Sequence, residues 1–134
     1  MLFKKLYYYY YYYHHYKMWS YIVEQLKVHP SADILQLKND YIRKNKCKHL
    51  GKSNCYLCSY SILIRHRDKI TCECCPLYKK YNENCFRSNS LFNKVSIPAM
   101  FNISPEERIA AAEKIRDCVL PWKNKMINEE IKED

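Results

Sequence analysis

Two pairs of cysteines, each with a two-residue gap, constrain this chain more than any other feature. They are Cys55-x2-Cys58 and Cys72-x2-Cys75, separated by thirteen residues. Such a gap lets both thiolates of a pair reach one ion at about 2.3 Å, and two pairs complete a tetrahedral site. The intervening length falls just short of the range of about fifteen to twenty residues usual for double-CxxC zinc modules. A structural Zn2+ held by Cys55, Cys58, Cys72 and Cys75 is the expected cofactor. Other thiol chemistry fits less well. A thioredoxin-like site needs one CxxC at the start of a helix after a strand and has no use for a second pair. An iron–sulfur cluster matches the ligand count and would colour the purified protein.

Six of the eight cysteines lie between Cys55 and Cys85, so the ligand set has alternates. Cys74 can substitute for its neighbour Cys75, although Cys75 precedes Pro76, whose fixed φ suits a knuckle turn. Cys85 can replace one of the four. His49 and His66 are in range, but a lone histidine in such a segment more often faces solvent or packs. Cys47 and Cys118 read as structural, Cys118 as a small buried hydrophobe near the apolar face of the last helix.

Four stretches separate along the chain. Residues 1–17 are a low-complexity leader with seven consecutive tyrosines, Tyr7 to Tyr13. A homopolymer has no apolar side distinct from a polar one, so the leader reads as a repeat of one A/T-rich codon. It is expected to be disordered, a mis-assigned start or a dispensable extension, poorly packed in any case. Residues 18–123 are expected to form one domain. In its first part Trp19, Ile22, Val23 and Leu26 share one helical face. Pro30 breaks that pattern, and Ser31 is placed to cap a second helix with apolar positions Ile34, Leu35, Leu37, Tyr41 and Ile42. Residues 47–94 are the cysteine module, whose only regular-looking piece is a short strand over residues 60–65. Residues 104–120 give a helix with Ser104 as N-cap, Pro105 at N1 and Glu107 closing a capping box. Its inner face is Ile109, Ala112, Ile115 and Val119, and Pro121 stops it. Residues 124–134 are a polar tail.

The expected fold is therefore a small α-rich (α+β), zinc-stapled domain. It has two N-terminal helices, a four-cysteine module with at most a short hairpin, and one C-terminal helix. The module's loops hold too few apolar residues to order themselves, so the metal must supply folding free energy.

Charge is concentrated in the same module. Residues 43–94 carry twelve lysines and arginines against Asp68, Glu73 and Glu83. Arg65, His66, Arg67 and Lys69 form one basic cluster and Lys79 and Lys80 another, with Tyr60, Tyr78 and Tyr81 interleaved. That mixture suits phosphate contact and base stacking. The weight of the charge is reduced by composition, because one glycine against seventeen lysines and fourteen tyrosines reports an A/T-rich genome as well as chemistry. Nucleic-acid binding is accordingly the second reading, and no recognised nucleic-acid motif accompanies it.

No enzyme is expected. The sequence contains no G-x-S-x-G, P-loop, H-E-x-x-H or paired-carboxylate pattern. A site closed by four cysteines offers no open coordination position, and His66, the last histidine of the chain, has no downstream partner for a nuclease-type centre. No stretch approaches the ~20 apolar residues of a membrane helix, so the expected location is the cytosol, without membrane or small-molecule partners.

The order of these features resembles small cysteine-rich proteins encoded by phages and prophages of low-G+C Gram-positive bacteria. The resemblance rests on Asn54, Cys55, Cys58, Cys72, Cys75, Pro76, Leu77 and Cys85, and on the helix from Glu106-Glu107-Arg108 through Ile115-Arg116 to Pro121. It covers about residues 18–123 and departs in the extra thiol Cys74 and in a longer, basic linker between the pairs. It implies a viral or prophage origin, a metal-stapled fold and the host bacterial cytosol. It carries over no activity. The function expected is that of a non-enzymatic accessory protein binding a host or phage macromolecule.

Overall fold

The computed structural model describes residues 2–45, 56 and 90–120, with residues 2–9 described by their backbone. Among the described residues there are four α-helices, one 3-10 turn and no strand. We label the helices α1 (Leu2–Val28), α2 (Ile34–Lys44), α3 (Leu91–Ser96) and α4 (Pro105–Asp117), with the 3-10 turn at Pro98–Phe101 between α3 and α4. The chain is α-rich, as expected. The expected hairpin, the strand at residues 60–65 and the expected zinc ligands lie outside the described residues, and α3, which the sequence reading does not anticipate, begins inside the cysteine module.

The largest departure from expectation is at the N-terminus. No break falls between residues 17 and 18, because α1 runs through that point as one helix of 27 residues, about 40 Å long at 1.5 Å per residue. Nor are all of the leader's described side chains poorly packed: Tyr11 and Tyr12 are 4% and 6% exposed, and His15 is 1% exposed. The physical reason is one of phase. Buried Met18, Trp19, Ile22, Val23 and Leu26 define one face of α1. Continued toward the N-terminus in steps of three and four residues, that face passes through His15, Tyr12 and Tyr11. A tyrosine run has no periodicity of its own, so the flanking residues choose which of its rings turn inward. Residues 2–21 contain no glycine, proline or β-branched residue that would oppose the helix. The tyrosine ring supplies the apolar area that burial requires.

Pro30 ends α1 as expected, with the helix stopping at Val28. The second helix begins later than its sequence signal, with Asp33 rather than Ser31 as N-cap and no side-chain capping bond. Its buried face is Ile34, Leu37, Lys38 and Tyr41. Leu35, expected on that face, is 56% exposed.

The capping signal of α4 is realised. The backbone N–H of Glu107 donates to Ser104 Oγ at 3.2 Å, and Ser104 Oγ donates to Glu107 Oε1 at 3.2 Å. Ala112, Ile115 and Val119 are buried as the periodicity requires. The neighbouring α3 is capped in the same manner by Ser90, whose Oγ accepts from Asn93 N at 3.1 Å. Asn102 takes the left-handed conformation (φ 51°) that closes the 3-10 turn, a geometry asparagine tolerates better than most residues.

In packing, α4 is central, lying against both α1 and α3, while α2 rests on α1. Arg108 fastens these elements together. Its Nε donates to Val95 O, one Nη to Pro30 O and the other to Ala32 O, each at 2.8 Å. One buried guanidinium thus joins α4 to the end of α3 and to the turn between α1 and α2. Lys38 is also buried, its ammonium 4.4 Å from the Phe92 ring centroid and 5.5 Å from that of Trp19. Two faces of π-density favour the cation there.

Candidate metal centre

The residues predicted to hold or surround the metal all fall outside the described residues. These are Cys55, Cys58, Cys72 and Cys75, the alternates Cys74 and Cys85, and the histidines His49 and His66. The basic residues Arg65, Arg67, Lys69, Lys79 and Lys80 lie outside them as well. Among the described residues no group of three or more histidine, cysteine or acidic side chains is arranged to hold a metal ion. The case for zinc rests on the donor set itself: two thiol pairs at ligand spacing fit a tetrahedral thiolate-binding ion. With zinc bound, the four thiolates would offer a closed coordination shell and a structural cross-link.

The described residues define how the module is attached to the helical body. It leaves after α2, where Asn45 closes the helix by donating from Nδ2 to Tyr41 O at 2.9 Å. It returns at Ser90, buried as the cap of α3. Between these ends the one described residue, Tyr56, enters the core. Tyr56, inside the gap of the first cysteine pair, is fully buried. Its ring stacks on His14, with centroids 5.4 Å apart and planes 22° from parallel. Tyr41 meets it edge-on at 6.4 Å, and Tyr11 lies at 6.5 Å. His14 is held in turn by a 2.8 Å hydrogen bond between its Nδ1 and the Tyr41 hydroxyl. Ring pairs of this kind contribute about 0.5–1.5 kcal/mol each beyond the area they bury. The tyrosine helix and α2 together therefore form an aromatic cradle for the residue next to Cys55.

A second polar cluster lies between α1 and α4. His15 Nε2 is 2.7 Å from the carbonyl oxygen of Ile115. A carbonyl only accepts, so Nε2 carries the proton and the ring is the neutral Nε2–H tautomer. Burial drives the His15 pKa down to about 4, against the opposing pull of the Ile115 carbonyl and with help from the Lys38 charge. Its Nδ1 is buried without a hydrogen-bond partner among the described residues. Cys118, which is buried, places its sulfur 3.6 Å from His15 Nε2. The expected structural role of Cys118 fits this position.

Sequence reasoning assigns no buried role to Tyr56, His14, His15, Lys38 or Arg108. For the histidines a signal exists: the face from Met18 to Leu26 extends backward in register through the tyrosine run. No comparable signal marks Arg108 or Lys38, which occupy positions where a charged residue ordinarily faces water.

No helix among the described residues is long and apolar enough to cross a membrane. Comparison with family models, with curated proteins and with solved structures yields no match to this chain.

Proposed function

We propose that the chain is a small, non-enzymatic zinc-binding accessory protein that acts by binding a host or viral macromolecule. Zn2+ is held by Cys55, Cys58, Cys72 and Cys75, with Cys85 and Cys74 as alternates. The observation that carries this reading is the pair of CxxC gaps thirteen residues apart. Tyr56, which follows Cys55 in sequence, is buried among rings of the helical body. The metal staples a loop-rich segment whose own apolar content is too low to order it, and the exposed part of that segment is the recognition surface. The phage resemblance points to a macromolecular partner inside an infected bacterium. Affinity capture from infected cells, with the zinc-loaded chain and a Cys55→Ser, Cys58→Ser double variant as parallel baits, tests it. A partner retained only by the zinc-loaded chain is the expected result. Equal retention by both baits would remove the metal from the function.

The concentration of positive charge in residues 43–94 favours a second reading, in which the macromolecule is a nucleic acid. Steeply salt-dependent binding to DNA or RNA, weakened in the Arg65→Ala, Arg67→Ala double variant, distinguishes it from protein recognition. Absence of retention on DNA or heparin at low salt rules it out.

A further inference from the structure

The segment joining α3 to α4 is apolar and faces outward. Six of the seven residues from Ile97 to Ile103 are apolar, Asn102 being the exception, and none of the seven is buried. Met100 is 75% exposed and Ile97 42%. The 3-10 turn gathers Pro98–Phe101 into one compact patch. Contiguous apolar surface of this kind marks a contact site, where scattered single side chains do not.

Beside the turn lies a groove of about 440 Å³ between α3 and α4. Leu91, Phe101 and Ile103 line it from one side, and Ala110 and Ala111 from α4. The depression has a cause in the sequence: at these two positions of α4 the side chain is a single methyl. Two lysines border the groove, Lys94 from α3 and Lys114 from α4. Neither takes part in an ion pair among the described residues. Asp117, one turn beyond Lys114, is held instead by Arg116 at 2.7 Å, and α3 contains no acidic residue. The carboxylate at the groove, that of Glu107, accepts from the Ser104 hydroxyl. It stands seven positions from Lys114, about 10 Å along the helix axis, and so does not neutralise it.

We propose that this groove and the Ile97–Ile103 turn form a protein-docking surface whose occupant is an acidic peptide segment bearing an apolar anchor side chain. The groove takes the anchor, Met100 adds an adaptable apolar contact, and Lys94 and Lys114 meet the carboxylates that flank it. The apolar lining favours a peptide over a nucleic acid, which draws its affinity from phosphate contacts. The inference does not rest on the zinc reading above, because the surface is built from α3, the 3-10 turn and α4.

The test is a selection from a random-peptide display library on the full chain, with subtraction on full-chain Ala110→Tyr, whose ring fills the groove. Ala110 is exposed, so this change spares the core, and an unaltered thermal melt checks it. Peptides surviving subtraction are expected to carry an apolar residue among aspartates and glutamates. They are expected to bind the Lys94→Glu, Lys114→Glu double variant at least about tenfold more weakly. A further measurement uses wild type alone. A selected peptide is expected to shift the NMR methyl signals of Met100 and Ala110 and to leave those of Ile22, enclosed in the core, in place. Survivors without acidic enrichment, equal affinity for the charge-reversed variant, or unmoved Met100 and Ala110 signals would overturn the inference. Movement of those signals with an oligothymidylate and with no peptide would assign the surface to a nucleic acid and overturn it too. Peptides held equally by wild type and Ala110→Tyr would place recognition elsewhere on the chain, which overturns this surface and leaves the function proposed above standing.

Discussion

His15 and Ile115 stand 100 positions apart in sequence, yet the imidazole Nε2–H of one donates to the backbone carbonyl of the other at 2.7 Å. This bond crosses the interface between α1 and α4. It uses a carbonyl near the C-terminal end of α4 as acceptor, and it fixes the tautomer of a histidine that solvent does not reach. The other nitrogen of the ring has no hydrogen-bond partner among the described residues, so protonating the ring would bury a charge beside Lys38.

The first prediction concerns pH. In the unfolded chain His15 titrates near the ordinary value of 6.5, whereas in the folded protein its pKa is about 4. Between those values the unfolded state binds the extra proton, so stability falls as pH drops from 6.5 toward 4 and is fully present above 6.5. The loss amounts to about 3 kcal/mol from this one group. His14, whose pKa burial also lowers, contributes in the same direction. Urea denaturation across this range should show the decline for wild type and a shallower one for His15→Gln, which keeps a donor but does not titrate. Identical slopes for the two proteins would contradict the buried neutral histidine.

Arg108 gives the second. Its three hydrogen bonds go to main-chain carbonyls of Val95, Pro30 and Ala32. Removing the guanidinium leaves those acceptors without their donor. Arg108→Met, which keeps much of the apolar stem, should destabilise the protein by about 3 to 5 kcal/mol. Arg108→Lys should recover little, because one ammonium cannot span three acceptors arranged around a planar fork. Wild-type denaturation midpoints for both variants would show that the clamp has no energetic role.

The third concerns the metal. A strong chelator should release the restraint on residues 47–94, seen as rapid proteolysis confined to that segment and a lowered melting temperature. Cys58→Ser should reproduce the effect without chelator. An unchanged melt and protease pattern after complete chelation would remove the structural role assigned to zinc.

Parts of this fold are plain in the sequence and parts are not, for identifiable reasons. The α4 start is legible because Ser104, Pro105 and Glu107 each act locally, through capping bonds that depend on near neighbours. The end of α1 is legible for the same reason, since Pro30 acts on the residues beside it. Leu35 faces water against expectation because a single helix offers several apolar faces, and only tertiary packing selects among them. The packing of the tyrosine run is hidden because a homopolymer carries no phase. Its buried rings are chosen by Met18, Trp19 and Ile22 downstream and by α4 across the interface. Arg108 and Lys38 carry no mark in the sequence because their burial depends on carbonyls and rings far away along the chain. For the candidate metal centre, the ligand spacing is legible, whereas the aromatic seat of Tyr56 depends on three residues from two other helices.

The most direct measurement is the thermal melt of a chain beginning at Met18, compared with the full chain at matched zinc. Truncation removes Tyr11, Tyr12 and His15 from the core, and with Tyr11 and His14 it removes two of the three rings around Tyr56. Burial of three such side chains is worth on the order of 6 kcal/mol, comparable with the total stability of about 5–15 kcal/mol typical of a domain. The truncated chain is predicted to show no cooperative transition, or one lowered by tens of degrees. A truncated chain that melts cooperatively at the temperature of the full chain would contradict the tyrosine helix as part of the core.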